Sequence, residues 1–152
     1  MIAPGNDNNA IAAVTGLILE IFRLNGRLLE AGDNLVAPLG LTSARWQVLG
    51  AIDAAQTPRP VAHLARDMGL SRQAVQRLAN EMEEAGIVRF VPNPHHERAK
   101  LVLMTSRGES LFKAAMRVQR LWAKTLSEGL DGDRMNRAAE LLRSLRAKLE
   151  RD

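Results

Sequence analysis

The chain has 152 residues, of which 46% are hydrophobic and 25% charged, the length and balance of one ordinary globular domain rather than a disordered or fibrous chain. Zero cysteines exclude a disulfide framework, thiolate zinc sites, iron–sulfur ligation and any cysteine nucleophile or redox sensor. The net charge of +4 is uneven: residues 1–58 sum to −2, while residues 59–107 and 108–152 each sum to +3, and the basic middle and end suit phosphates or acidic lipids as well as a merely solubilising excess. No stretch approaches the roughly 20 apolar residues of a membrane span, and MIAPGNDNNA lacks the basic start and apolar core of a signal peptide. A soluble, cytoplasmic protein is expected.

Leu, Ala, Arg and Glu dominate and aromatics are scarce, which leans the composition towards helix. Ile11, Val14, Ile18, Ile21, Phe22, Leu28 and Leu29 follow helical intervals and predict a long first helix. Its Gly16 and Gly26 each cost about 1 kcal/mol against Ala, so packing must support it. Pro38 and Gly40 break the pattern, and Thr42 or Ser43 caps a second helix holding Trp46, Val48, Leu49 and Ile52. That helix ends before Thr57-Pro58-Arg59-Pro60.

From Val61 the rhythm changes to helix, tight turn, helix. VAHLARDMG turns Val61, Leu64, Ala65 and Met68 inward, Gly69-Leu70 makes the turn, and Ser71 caps SRQAVQRLANEMEEAG. Val75, Leu78 and Met82 share one side of this helix, and Gln73, Gln76, Arg77 and Asn80 gather opposite, with no acid among them. Gly86 stops the helix in a left-handed conformation. IVRFV and KLVLM then read as two strands joined by a loop with a basic tip, residues 92–99. Two helical stretches close the chain, one carrying Leu111, Phe112, Ala115, Val118, Trp122 and Leu126, the other a stripe of Ala138, Leu141, Leu142, Leu145 and Leu149.

A helix-turn-helix offers its second helix to the DNA major groove, where Gln and Asn pair with adenine and Arg with guanine. Gln73, Gln76, Arg77 and Asn80 have that chemistry, and Ser71 with the free amides behind it suits a phosphate. Taken alone, this face is equally an ordinary solvated helix surface. The hairpin that follows makes the combination a winged helix-turn-helix, which is more specific than either half. Arg72 and Lys100 flank the reading face as phosphate contacts. His95-His96-Glu97 lacks metal-ligand spacing, Asp131-Gly132-Asp133 lacks the rest of a calcium loop, and phosphate-loop, nucleophile-elbow and dinucleotide motifs are missing, so no enzyme, metal or cofactor is expected.

LGLTSARWQVLGAI (39–52), LARDMGLSRQAVQRLANEMEEAGIVRF (64–90) and NPHHERAKLVLMTSRGE (93–109) together resemble the multiple antibiotic resistance regulator (MarR) family of winged helix-turn-helix repressors and activators. The resemblance spans nearly the whole chain. The family wing reads Asp-Pro-x-Asp-x-Arg, and Asn93, Pro94, His96 and Arg98 stand at those positions. The resemblance implies that Arg98 enters the minor groove, and that His96 cannot supply the ion pair of the usual acid. It further implies an obligate homodimer built from N- and C-terminal helices, an imperfectly palindromic duplex DNA target, and a small aromatic or anionic ligand between the dimer region and the DNA-binding lobe, with Trp46 and His63 as candidate lining residues. For both of these, a core role is the plainer expectation.

The expected architecture is mostly α, with a dimerisation helix in 1–32, a winged helix-turn-helix lobe with a two-stranded β-wing in 33–107, and dimerisation helices in 108–152. The expected function is a dimeric, sequence-specific DNA-binding regulator released by a small ligand. The rival readings are a helical protein-interaction module with a non-functional wing and an architectural DNA-binding factor without an effector.

Overall fold

The computed structural model describes residues 4–150. Six α-helices and a small sheet follow in the order α1 (Pro4–Val36), α2 (Ser43–Ala55), β1 (Arg59–Pro60), α3 (Val61–Met68), α4 (Arg72–Glu84), β2 (Val88–Val91), β3 (Leu101–Met104), α5 (Ser106–Ser127) and α6 (Gly132–Leu149). Two compact units divide the chain, one ending at Ala115 and the other beginning at Met116. The fold class is the expected one, mostly helical with a winged helix-turn-helix.

The core of the first unit lies under the helix-turn-helix. Leu49 of α2, Leu64 of α3 and Met82 of α4 are its largest fully buried side chains, and Val36, Val48, Val75, Val88 and Val102 complete its sealed centre. Both helix ends in the motif stop as their glycines require. Gly69 (φ 67°) and Gly86 (φ 72°) adopt the left-handed conformation that a Cβ disfavours. Around each, the next amide bonds back across the last turn, Leu70 N–H to the Ala65 carbonyl and Ile87 N–H to the Met82 carbonyl, both at 2.9 Å.

The sheet differs from the sequence expectation by one strand. Arg59 and Pro60, expected only to break the chain, pair with Val102 and Leu101, giving the order β1-β3-β2. Two residues carry no periodicity, so nothing local marks them as a strand; β3 supplies the partner. Pro60 takes the edge, where its missing N–H costs least. The hairpin of β2 and β3 is antiparallel, with Val88 opposite Met104 and Phe90 opposite Val102.

Close backbone approaches tie neighbouring elements together. Ser43 donates from its hydroxyl to the Leu29 carbonyl at 2.8 Å and from its amide to Asp33 Oδ1 at 2.7 Å, which fastens α1 to the start of α2. Gly32 leaves room for that contact, because a Cβ there would collide with Ser43 Oγ. At the far side, Thr105 Oγ1 donates towards the carbonyls of Gly86 (2.6 Å) and Ile87 (3.0 Å) and accepts from Gly108 N–H at 3.1 Å. Arg107 donates to the Ala85 carbonyl at 2.9 Å. The start of α5 is thereby pinned to the end of α4.

The long helix α1 keeps much of its apolar side in solvent: Ile11, Leu19 and Phe22 are 61%, 48% and 70% exposed. In α6, Leu141, Leu142 and Leu149 of the expected stripe are exposed, Ala138 also, and Leu145 is half-buried. Asp131 caps α6 by accepting from the amides of Asp133 and Arg134.

Two glycine substitutions should separate close approach from backbone freedom. Gly108→Ala drives a Cβ into the Ile87 carbonyl and should destabilise the protein by about 1–3 kcal/mol. Gly50→Ala in α2 meets nothing within 4 Å and should stabilise it by about 0.5–1 kcal/mol. Denaturant unfolding of both variants measures the two signs.

Candidate nucleic-acid interface

Helix α4 is amphipathic in a way that leaves little choice about which side faces out. Val75, Ala79 and Met82 are fully buried and Leu78 is half-buried. At roughly 100° per residue, the direction opposite that buried arc falls on Gln73, Arg77, Asn80 and Glu84, all of them exposed. Ser71 is the N-cap, with its hydroxyl accepting from Ala74 N–H at 3.1 Å, so the first turn begins at a defined point.

The expected reading face resolves into two sectors. Gln73 and Arg77 project straight out. Arg72, Gln76 and Asn80 instead line a groove of about 350 Å³ between α4, the start of α3 and the wing, with Arg98 and Lys100 across from them. Gln76 is half-buried and donates from Nε2 to Asn80 Oδ1 at 2.9 Å, so these two amides are held as one unit. Pro60 and Phe90 contribute apolar surface to the same groove, which β1 brings into place by pairing with β3.

Acids appear only in the second half of α4. Glu81 lies 3.7 Å from Arg45 of α2, an ion pair that sets its charge aside from the exposed face. Glu83 lines the groove. Arg45, Glu83 and Phe90 are residues that sequence reasoning did not nominate. The i, i+4 spacing of Gln76, Asn80 and Glu84 puts helix neighbours on one side, but no local pattern relates Arg45 to Glu81.

The wing loop is exposed from Pro94 to Arg98. Arg98 and Lys100 enter no ion pair among the described residues, so both cations are free to face an external anion. His96 stands in the loop without a side-chain hydrogen bond among the described residues, and backbone turns close the loop from Asn93 to His96 and from His96 to Ala99, each at 3.2 Å. Trp46 and His63 are placed elsewhere: Trp46 is half-buried against the core, His63 is exposed on α3, and neither lines the groove. No helix among the described residues is long and apolar enough to cross a membrane.

A family model described as MarR family matches residues 39–99, from the loop before α2 to the wing. An uncharacterized protein of Mycobacterium tuberculosis is 35% identical over 102 residues, covering 66% of this chain and 69% of the relative. Among solved structures, CouR from Rhodococcus jostii bound to p-coumaroyl-CoA is 26% identical with a TM-score of 0.75, covering 87% of this chain and 91% of that one. A mutant MarR from E. coli complexed with operator DNA is 25% identical with a TM-score of 0.73, covering 90% and 96%.

Removal of the Ser71 hydroxyl isolates the cap. Ser71→Ala should cost about 1 kcal/mol of stability, with the first turn of α4 exchanging its amide hydrogens faster while the core is unchanged. Hydrogen exchange by mass spectrometry reads both.

Proposed function

Because this chain belongs to the MarR family, we propose that it acts as a dimeric, sequence-specific DNA-binding regulator of transcription. The observation that carries this reading is the placing of Arg72, Gln76 and Asn80 of α4 across one groove from the unpaired wing cations Arg98 and Lys100, beside the outward Gln73 and Arg77. Gln73, Gln76, Arg77 and Asn80 contact base edges, Arg98 reaches the minor groove, and Ser71, Arg72 and Lys100 contact phosphates. Charge on the wing supplies affinity that falls with salt, whereas α4 supplies the choice of sequence.

The apolar residues left exposed on α1 and α6 support a homodimer, since Phe22 and Leu149 at 70% and 80% exposure are costly to leave in water. In domain terms, residues 1–32 and 108–152 serve dimerisation and residues 33–107 form the DNA-binding lobe. Two-fold symmetry then calls for an imperfect palindrome with half-sites about 34–36 Å apart. A regulator of this kind works beside the chromosome in the cytoplasm and needs no catalytic step of its own. The p-coumaroyl-CoA carried by the structurally similar CouR supports a small aromatic or anionic ligand as effector. Such a ligand lowers DNA affinity only if it binds the DNA-incompetent state more tightly. Trp46 and His63 remain the candidate contacts for it.

Selection of duplexes from a random pool, followed by titration of variants, tests the DNA reading. Arg77→Ala should lose about 1–3 kcal/mol on the selected duplex and relax base preference. Lys100→Ala should weaken selected and random duplexes alike and reduce the salt slope by about 1. Wild-type affinity of Arg77→Ala for both kinds of duplex would remove the base-reading role.

Assembly has its own test. Leu141 is 53% exposed in the single chain, so Leu141→Asp costs the isolated fold little. It should nevertheless convert the dimer to monomer, because a charge would be buried in the seam. Light scattering at micromolar concentration measures the mass; a wild-type monomer there would refute the dimer.

A further inference from the structure

Asn93 stands where the chain leaves β2 for the wing tip, and both ends of its carboxamide are in use. Oδ1 accepts from the His95 amide at 3.0 Å, and Nδ2 donates to the Ala99 carbonyl at 2.9 Å. A backbone amide only donates and a carbonyl only accepts, so these two partners together decide which end of the side chain is nitrogen. The second bond crosses the loop from Asn93 to the residue following Arg98. Arg98 itself makes no hydrogen bond or ion pair among the described residues, and His96 offers it no carboxylate. The backbone at Arg98 is restrained through its neighbour Ala99, whose amide bonds to the His96 carbonyl at 3.2 Å and whose carbonyl is held by Asn93.

From this geometry we propose that Asn93 is a positioning residue for Arg98: it closes the wing loop and so presents the guanidinium over the groove before DNA arrives. The proposal rests on the reading that Arg98 contacts DNA. An anchor ordered in advance loses less conformational freedom on binding, and the difference appears as affinity. The family wing carries an Asp at this position together with an acid where His96 stands, so in this chain the hold on Arg98 falls to what a carboxamide can do. An aspartate at 93 has almost the same shape and still accepts from His95, but ionised it has no hydrogen to give. Its second oxygen would face the Ala99 carbonyl oxygen across a hydrogen-bond distance, so attraction becomes repulsion. An alanine at 93 removes both bonds without adding charge.

The test uses the full chain and a duplex selected from a random pool by the wild-type protein. Asn93→Ala and Asn93→Asp should each weaken binding about threefold to tenfold, and by less than about twofold in an Arg98→Ala background. A plain charge or folding effect would persist in that background, so equal losses with and without Arg98 would overturn the proposal. Hydrogen exchange over residues 93–100 of the free protein provides a DNA-independent readout. Both variants should exchange faster there with the melting temperature unchanged, and wild-type exchange in both would equally overturn it. If the wild-type protein selects no duplex, the DNA-binding reading falls, and the exchange experiment still decides whether Asn93 closes the loop.

Discussion

Burying one side of a thirteen-residue helix constrains everything the other side does. Val75, Ala79 and Met82 sit at zero exposure in a core shared with α2, α3 and the sheet, so α4 cannot rotate without exposing a methionine and opening a cavity. A rotation of one residue's angle would cost several kcal/mol in lost burial and packing. The polar face is therefore presented at a fixed angle, and Gln73, Arg77 and Asn80 owe their direction to side chains that never meet solvent. A helix fixed in this way loses little further freedom when it docks in a DNA groove.

The same helix is secured at both ends, by different means. Ser71 defines its start from within the sequence, while its end is held by residues far along the chain, with Thr105 and Arg107 bonding the carbonyls of residues 85–87. Gly108 lets α5 approach the Ile87 carbonyl closely enough for those bonds to form. Recognition helix, wing base and the start of α5 therefore meet at one junction. Any movement of the first turns of α5 is felt at the C-terminal end of α4, because hydrogen bonds and close packing leave no slack between them.

Electrostatics here works by distribution more than by total. A net +4 on 152 residues is a weak field, screened beyond about 8–10 Å at ordinary ionic strength. What the fold does is gather cations and remove acids locally: Arg72, Arg98 and Lys100 border one groove, and Arg45 engages Glu81. Glu83 remains in that groove as the one carboxylate among its lining residues. An acid so placed disfavours a phosphate beside it.

Features whose causes lie within a few residues of one another could be read from the chain before it folds. The cap at Ser71, the left-handed turns at Gly69 and Gly86, the helical periodicity of α1 to α6 and the two wing strands are all set by local sterics and by the spacing of apolar side chains. Features that depend on a distant partner came only with the fold. Arg59 and Pro60 are a strand because β3 lies beside them, Arg45 matters because Glu81 comes within 3.7 Å, and Gln76 and Arg72 turn into the groove while Gln73 and Arg77 do not. Asn93 is legible as a turn residue before Pro94, but its bond to Ala99 depends on how the loop returns. Trp46 lies half-buried against the core and His63 is exposed on α3, placements that the packing of α2 and α3 sets. Local rules act through a few bonds of chain, whereas a contact across the fold exists only after the core has closed and chosen the neighbours.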